Sequence, residues 1–155
     1  MDLGAAEGYR SFVTTACSLR PLAFDSWLSG NIRMRDFRRL AVWEKSHELV
    51  LELYRTTKLF PREEMCGLVS QNRRCSASVA ANIAEGCGRK GNGEFHRFLQ
   101  IAAGSGSEWG YHLLLARDLK YINDSDHKKL NPRVVEVRRK RTALLRKVDT
   151  DRRGD

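Results

Sequence analysis

The stretch GCGRKG, Gly86 to Gly91, contains the residue types that most directly suggest chemistry. Its G-x-G-x-x-G spacing is that of a dinucleotide-binding loop, and Arg89 and Lys90 could contact phosphate there. Such a loop needs a strand before it and an acidic residue about 20 positions later. Helical spacing flanks this stretch on both sides instead. We therefore predict a corner between two helices, in which Gly86 and Gly88 end one helix with positive φ and Asn92 caps the next.

A di-iron centre is the second chemistry to consider, because helical bundles build one from Glu-x-x-His pairs on two helices and a Glu on two others. Glu44 and His47 form one such pair, whereas Glu108 and His112 are four residues apart and do not match. His47 falls on an apolar stripe, so we interpret it as a structural core histidine. We predict no catalytic residues, no metal and no cofactor, and we expect that the protein is not an enzyme.

The cysteines Cys17, Cys66, Cys75 and Cys87 have neither C-x-x-C nor metal-site spacing. We interpret them as small apolar side chains in a reducing compartment, and expect a cytoplasmic protein. No apolar run approaches the roughly 18 residues of a membrane span, so no membrane partner is predicted.

Positive charge is concentrated near the end of the chain. The net charge is +9, and residues 128–153 hold eleven Lys and Arg against Glu136, Asp149 and Asp151. Such a segment favours a nucleic acid, an anionic surface or an acidic protein. No aromatic residue lies among these cations, so binding would be directed at the nucleic-acid backbone rather than at bases. The predicted binding residues, with the two cations of the glycine corner, are Lys128, Lys129, Arg133, Arg138, Arg139, Lys140, Arg146, Lys147, Arg89 and Lys90.

Four helical segments must position these residues. The first runs from Phe37 to Pro61 and carries two apolar stripes. One stripe comprises Leu40, Trp43, His47, Val50, Tyr54 and Thr57, and the other Val42, Leu49 and Leu53. The second helix should begin at Pro61, with Glu63 and Glu64 in its first turn and an apolar stripe starting at Met65. Asn72 and Asn82 lie on that stripe, and we predict that they hydrogen-bond across the core and fix the register.

The third helix has a heptad of Phe95, Phe98, Ala102, Gly106, Trp109, Leu113 and Ala116. Interior glycines cost about 1 kcal/mol each relative to alanine, so we predict close helix contacts at Gly104 and Gly106. Asn123-Asp124 should cap the last helix. Its apolar positions are Leu130, Val134, Val137, Arg141, Leu144 and Val148, and Arg141 could pair inside an interface. These segments predict an all-α, antiparallel up-down four-helix bundle over residues 34–150.

Residues 1–33 show no sustained period and carry no net charge. We predict an unstructured extension, with Met34 as a plausible natural start; a short docking arm is the alternative. Residues 151–155 should form a frayed tail.

The order of MRDFRRLAVWEKSHEL, FPREE, GLVSQNRR, NIAEG and FLQIAAGSGSEW resembles the bundle proteins encoded in large-subunit rRNA intervening sequences. That family includes the accessory variability determinant of diversity-generating retroelements. The resemblance is close from Met34 to Tyr121 and covers the last helix only in its basic character. It implies a ring-shaped homopentamer with a basic surface and, in the retroelement branch, binding to nucleic acid and a reverse transcriptase. For most members no activity is known.

Some residues depart from the family pattern. Asn72 stands where an apolar residue is expected, Cys66 where an aromatic one is expected, and Gly106 and Gly110 add flexibility. Two hypotheses remain open. The protein is an oligomeric module that binds RNA or DNA through the backbone, or a protein-interaction scaffold whose basic last helix docks an acidic protein such as a polymerase.

Overall fold

A computed structural model of the protein describes residues 35–153, which form an all-α four-helix bundle, as predicted from the sequence. The helices are α1 (Ala41–Thr56), α2 (Leu68–Gly88), α3 (Gly91–Asp118) and α4 (Asp124–Arg153). Short 3-10 turns lie at Phe37–Arg39, Thr57–Leu59 and Arg62–Glu64. Each helix packs on the next, and α4 returns to α1. The predictions for residues 1–33 lie outside the described residues.

The two apolar stripes of α1 are buried to different extents: in the first, Leu40 and Trp43 are half-buried at the edge of the core and its last member, Thr57, is fully buried. Val42, Leu49 and Leu53 are buried, together with Ser46, whose hydroxyl donates to the Val42 carbonyl at 2.6 Å. The stripe that contains Trp43 and His47 lies beside this face. His47 is exposed, so the prediction of a core histidine is wrong. The physical reason is that Ser46, although polar, satisfies its hydroxyl within the helix and can occupy the core position.

The connection from α1 to α2 is longer than predicted. Pro61 is followed by a 3-10 turn, and α2 begins only at Leu68, so the predicted helix start at Pro61 is wrong. Met65, where the predicted apolar stripe starts, precedes the helix and is exposed. Glu64 still serves the helix N-terminus, because its Oε2 accepts a hydrogen bond from the Leu68 amide at 2.9 Å. Its Oε1 accepts from the Tyr121 hydroxyl at 3.1 Å and ties this connection to the α3–α4 corner.

The glycine corner, residues Gly86 to Gly91, joins α2 to α3 as predicted, but its glycines have other roles. Gly91 adopts the positive φ, at 79°. Gly86 is buried within α2, where a Cβ would lie 2.8 Å from Phe98 Cβ. Asn92 lies inside α3 and does not cap it; its side-chain oxygen accepts from Arg35. Close packing of α2 on α3 therefore explains the glycine at position 86. In this corner, the backbone conformation requires a glycine only at position 91.

The asparagines of α2 do not bond across the core. Asn72 is buried and donates to the Leu68 carbonyl at 3.0 Å, and Asn82 donates to the Ser78 carbonyl at 2.8 Å. Both bonds stay within α2, so the prediction that these residues fix the register is wrong. The Asn72 side-chain oxygen has no hydrogen-bond partner within the described residues.

The core face of α3 follows the predicted heptad except that Leu99 replaces Phe98, which is half-buried. Gly106 is buried at a helix contact, where a Cβ would lie 3.7 Å from Arg138 Cγ and 3.8 Å from Val79 Cγ2. A Cβ on Gly104 would meet no described atom within 4 Å. The predicted close approach is therefore absent at Gly104, and at Gly106 the helices are in ordinary van der Waals contact that leaves room for a Cβ.

The last helix, α4, begins as predicted, because the Asn123 side-chain oxygen accepts from the Asp126 amide at 2.7 Å. It includes the exposed Pro132, which removes one helical hydrogen bond, and it continues to Arg153. Residues 151–153 thus belong to the helix rather than to a frayed tail. Val148 is buried, and Asp149 contacts both His96 at 2.9 Å and Arg152 at 3.8 Å, which holds these last turns.

Candidate nucleic-acid interface

The basic residues of α4 are exposed because the opposite side of the helix is buried in the core. Leu130, Val134, Val137 and Val148 are buried, as is His127 near the start of the helix. The spacing of three and four residues places these side chains on one face. The remaining positions, which carry most of the Lys and Arg, face outward.

Three of the predicted binding residues on α4 are engaged with acidic groups. Arg133 pairs with Glu52 and lies 3.7 Å from Glu48, so it connects α4 to α1. Lys129 lies 3.5 Å from Asp126, and Lys140 lies 3.6 Å from Glu136 on the same helix. Their charges are therefore partly neutralised, and Arg133 has a structural role that the sequence did not reveal.

The other five predicted binding residues on α4 have no acidic partner within 4.0 Å in the described part of the chain. They are Lys128, Arg138, Arg139, Arg146 and Lys147. A phosphate that approaches these side chains does not have to displace a carboxylate. They are thus the stronger candidates of the predicted set.

A shallow cavity of about 560 Å³ lies among these arginines. We call it the arginine groove, and its lining residues are Val135, Arg138, Arg139, Arg141, Thr142, Ala143 and Arg146. Four guanidinium groups, one hydroxyl and no carboxylate line it. Guanidinium groups bind phosphate oxygens in bidentate fashion, so the groove suits a phosphodiester.

Arg141 is the groove residue that sequence reasoning left out of the site. It is half-buried, and burial lowers its pKa, with the nearby Arg138 charge as the second cause. A guanidinium nevertheless stays charged, so an anion bound here would relieve an unfavourable charge environment. Its spacing of three from Arg138 and five from Arg146 is visible in the sequence, but its place on the apolar stripe suggested an interface instead.

The predicted site residues do not converge on one patch. Arg89 pairs with Glu85, and its guanidinium lies 5.3 Å from the Phe98 ring centroid. Lys90 has no ion pair within residues 35–153 and precedes α3. The His96–Asp149 contact places the start of α3 beside the end of α4. Lys90 and Lys147 therefore share one end of the bundle.

Lys128 lies at the opposite end, near the start of α4. The predicted residues thus spread along α4, with the arginine groove in its C-terminal half.

No other group among the described residues forms a metal or nucleophile site. Within residues 35–153, no three His, Cys, Asp or Glu side chains are placed to hold a metal ion. Cys75 Sγ lies 3.8 Å from His112 Nδ1, but burial, with a smaller contribution from Glu108, raises the pKa of the thiol to about 12. A thiol in that state is a poor nucleophile.

None of the described helices is long and apolar enough to span a bilayer.

Comparisons with known proteins identify the family. Residues 38–143 match the family model described as 23S rRNA-intervening sequence protein. A 1.70 Å crystal structure of a protein of unknown function from the S23 ribosomal protein family of Bacteroides thetaiotaomicron is similar in fold. The TM-score is 0.63 at 24% identity, over 68% of this chain and 95% of that one. No curated protein matches. Because the family model covers more than half of its residues, this chain belongs to the 23S rRNA-intervening sequence protein family.

Proposed function

We propose that this protein is a non-enzymatic module that binds nucleic acid through the phosphate backbone, with the arginine groove of α4 as its main contact. The observation that carries the proposal is the set of four arginines around one cavity without a lining carboxylate. Surface cations in folded proteins commonly pair with acids, as Lys140 and Arg133 do here. An unpaired cluster favours a ligand that brings its own negative charge.

The chemistry of the groove favours the backbone over the bases. Guanidinium groups contact phosphate oxygens equally well in any sequence, so binding through them has little sequence selectivity. The family's description names 23S rRNA, which makes RNA the first polyanion to test. A role beside a reverse transcriptase rests on the family resemblance, and a retroelement in the gene neighbourhood would support it. A cytoplasmic location rests on the interpretation of the cysteines as reduced thiols.

Assembly into a homo-oligomer is part of the proposal. Ile101, Tyr111 and Leu114 are large apolar residues on α3 that are 40–60% exposed, a surface that a second copy could cover. The resemblance implies a pentameric ring, in which several grooves would bind one strand together and raise the overall affinity. Sedimentation that gives a monomer at micromolar concentration would contradict the assembly.

The test of backbone binding is the triple variant Arg138→Gln, Arg139→Gln, Arg146→Gln. The matched control is Lys45→Gln, Arg97→Gln, Arg117→Gln, which removes the same charge from solvent-accessible cations that each pair with an acid. The affinity for RNA and duplex DNA should fall in the groove variant for all sequences alike. The log–log salt slope on duplex DNA should flatten by about 0.9 for each phosphate that the variant no longer neutralises.

Equal affinity of the groove variant and the parent at physiological salt would refute the nucleic-acid proposal, and so would equal reductions in affinity in both triple variants. The alternative, a scaffold that docks an acidic protein through α4, predicts that the parent binds neither RNA nor DNA.

A further inference from the structure

A row of aromatic rings lies along one side of α1, at the edge of the core: Phe37 and Trp43 are half-buried against it, whereas His47 and Tyr54 are exposed. Phe37 packs edge-on against Trp43, with ring centroids 4.7 Å apart. The His47 ring is stacked on Trp43, at 5.2 Å and an interplanar angle of 6°. Tyr54 continues the row and is 42% exposed. We call Phe37, Trp43, His47 and Tyr54 the ring face.

The residues of the ring face within α1 share one side of the helix because they are four and seven residues apart. Trp43 and Tyr54 are separated by about 16 Å along the axis, at about 1.5 Å per residue. That length matches a few nucleotides of an extended strand. Trp109, an aromatic residue of the core, has an exposed fraction of only 1%. His47 and Tyr54 are accessible by comparison.

Cations accompany the rings at both ends. The Arg38 guanidinium lies 4.6 Å from the Phe37 centroid, and the Arg73 guanidinium lies 4.8 Å from the Tyr54 centroid. Arg39 is exposed beside Arg38. None of these three arginines forms an ion pair with a described residue. Alternating rings and cations are the combination that single-stranded nucleic acid recognises, since bases stack on rings while phosphates meet the cations.

We propose that the ring face binds the unpaired bases of single-stranded nucleic acid, with Trp43 and His47 as the stacking platform and Arg38, Arg39 and Arg73 as phosphate contacts. The inference rests on the proposed function and adds to it a second subsite, specific for unpaired bases. The charge of the surface favours this occupant over a second copy of the chain. Three arginines without acidic partners would meet a second basic protein. Three exposed acids, Asp36, Glu44 and Glu48, also lie next to the rings in sequence, but Glu48 is already paired with Lys45.

The test compares binding of a short single-stranded oligonucleotide with binding of a duplex of the same composition. Trp43→Ala should weaken single-strand binding about 5- to 150-fold, the range for removal of one stacked base, and leave duplex binding within about twofold of the parent. Trp43→Phe should keep most of the affinity. His47→Ala, at an exposed position, should give a smaller reduction in the same direction without a packing defect.

Leu51→Ala is the matched control, because Leu51 is an exposed apolar residue of α1 without a ring. It should leave both affinities unchanged. The stacking proposal is overturned if Trp43→Ala and His47→Ala weaken single-strand and duplex binding equally or not at all. It is also overturned if Trp43→Ala and Leu51→Ala both lower the oligomer mass, which would assign the face to a second copy.

The two proposals fail in different ways. If the parent binds duplex but Trp43→Ala shows no selective reduction in single-strand binding, the ring-face inference alone fails. If the parent binds neither probe, the proposed function fails.

Discussion

The packing of α2 on α3 at Gly86 leads to a prediction in which two buried glycines respond to the same substitution with opposite signs. In Gly86→Ala the new Cβ would lie 2.8 Å from Phe98 Cβ and 3.0 Å from Phe95 Cδ2. Phe98 Cβ is attached directly to the α3 backbone and cannot swing away, so the two helices must separate. In Gly106→Ala the nearest atoms are at 3.7 and 3.8 Å, which is ordinary contact.

The magnitudes decide the signs. Overpacking a tight core costs about 1–3 kcal/mol, while removal of a glycine from a helix interior stabilises by up to about 1 kcal/mol. Gly86→Ala should therefore lower the free energy of unfolding by about 1–2 kcal/mol. Gly106→Ala should raise it by about 1 kcal/mol, since no clash opposes the helix propensity.

Urea denaturation followed by far-UV circular dichroism measures both values. The protein concentration must be the same in all samples, because the stability of an oligomer depends on it. The m-value should be unchanged if only the stability differs. A Gly86→Ala protein that is as stable as the parent would refute the close approach at this position. If Gly106→Ala is less stable than the parent, there is not enough room for a Cβ between Gly106 and Arg138, and the prediction is wrong.

Three other predictions concern individual groups. Cys66 is exposed whereas Cys75 is buried with its pKa raised to about 12, so a thiol reagent at mild pH should label Cys66 and spare Cys75 until denaturant is added. The hydrogen bond to Glu64 raises the pKa of Tyr121, so its phenolate should form above the ordinary pH, and Glu64→Gln should bring that titration back toward normal, as read by absorbance. Calorimetric titration with NAD or ATP should show no saturable heat, because the glycine corner joins two helices; a saturable signal that disappears on corner mutation would overturn that interpretation.

The sequence predicted helix number, helix order and the last cap because these depend on local signals. The three-and-four spacing of apolar residues marks a helix wherever it occurs, and Asn123 caps α4 through an amide three residues away. The predictions that failed depend on what lies across the bundle. Two stripes on α1 have helical spacing, and the position of the neighbouring helices determines that Leu49 is buried while His47 is exposed.

In the candidate site, too, local features could be predicted from the sequence and contacts between distant residues could not. Charge density on α4 is evident from the sequence, but the pairing of Arg133 with Glu48 and Glu52 joins residues about 80 positions apart. Gly86 fits a helix end in the sequence because glycines often occur there, whereas its role is a contact with Phe98. The sequence does not predict that the Phe37 and Trp43 rings are in contact, because Phe37 lies in a 3-10 turn before α1 and the two rings meet only after the chain folds.

The unequal lengths of α1 and α4 have a further consequence. At about 1.5 Å per residue, the 30 residues of α4 extend about 45 Å and the 16 residues of α1 about 24 Å. Arg133 lies opposite Glu48 and Glu52, so the later turns of α4 run past the beginning of α1. Beyond Val148 they contact α3 through His96 and Asp149.

These last turns should therefore open by local unfolding at a lower free energy than the middle of the helix, and their amides should exchange hydrogen faster. Arg152 contacts Asp149, but Arg146, Lys147 and Arg153 have no acidic partner within 4.0 Å among the described residues, and their mutual repulsion adds to the local instability. A bound polyanion would cancel that repulsion and slow the exchange of this segment before that of any other. Nucleic acid would then order the last turns of α4 as it binds. The observed binding free energy would be smaller than that of the contacts alone, because part of it offsets the entropy lost when these turns become fixed.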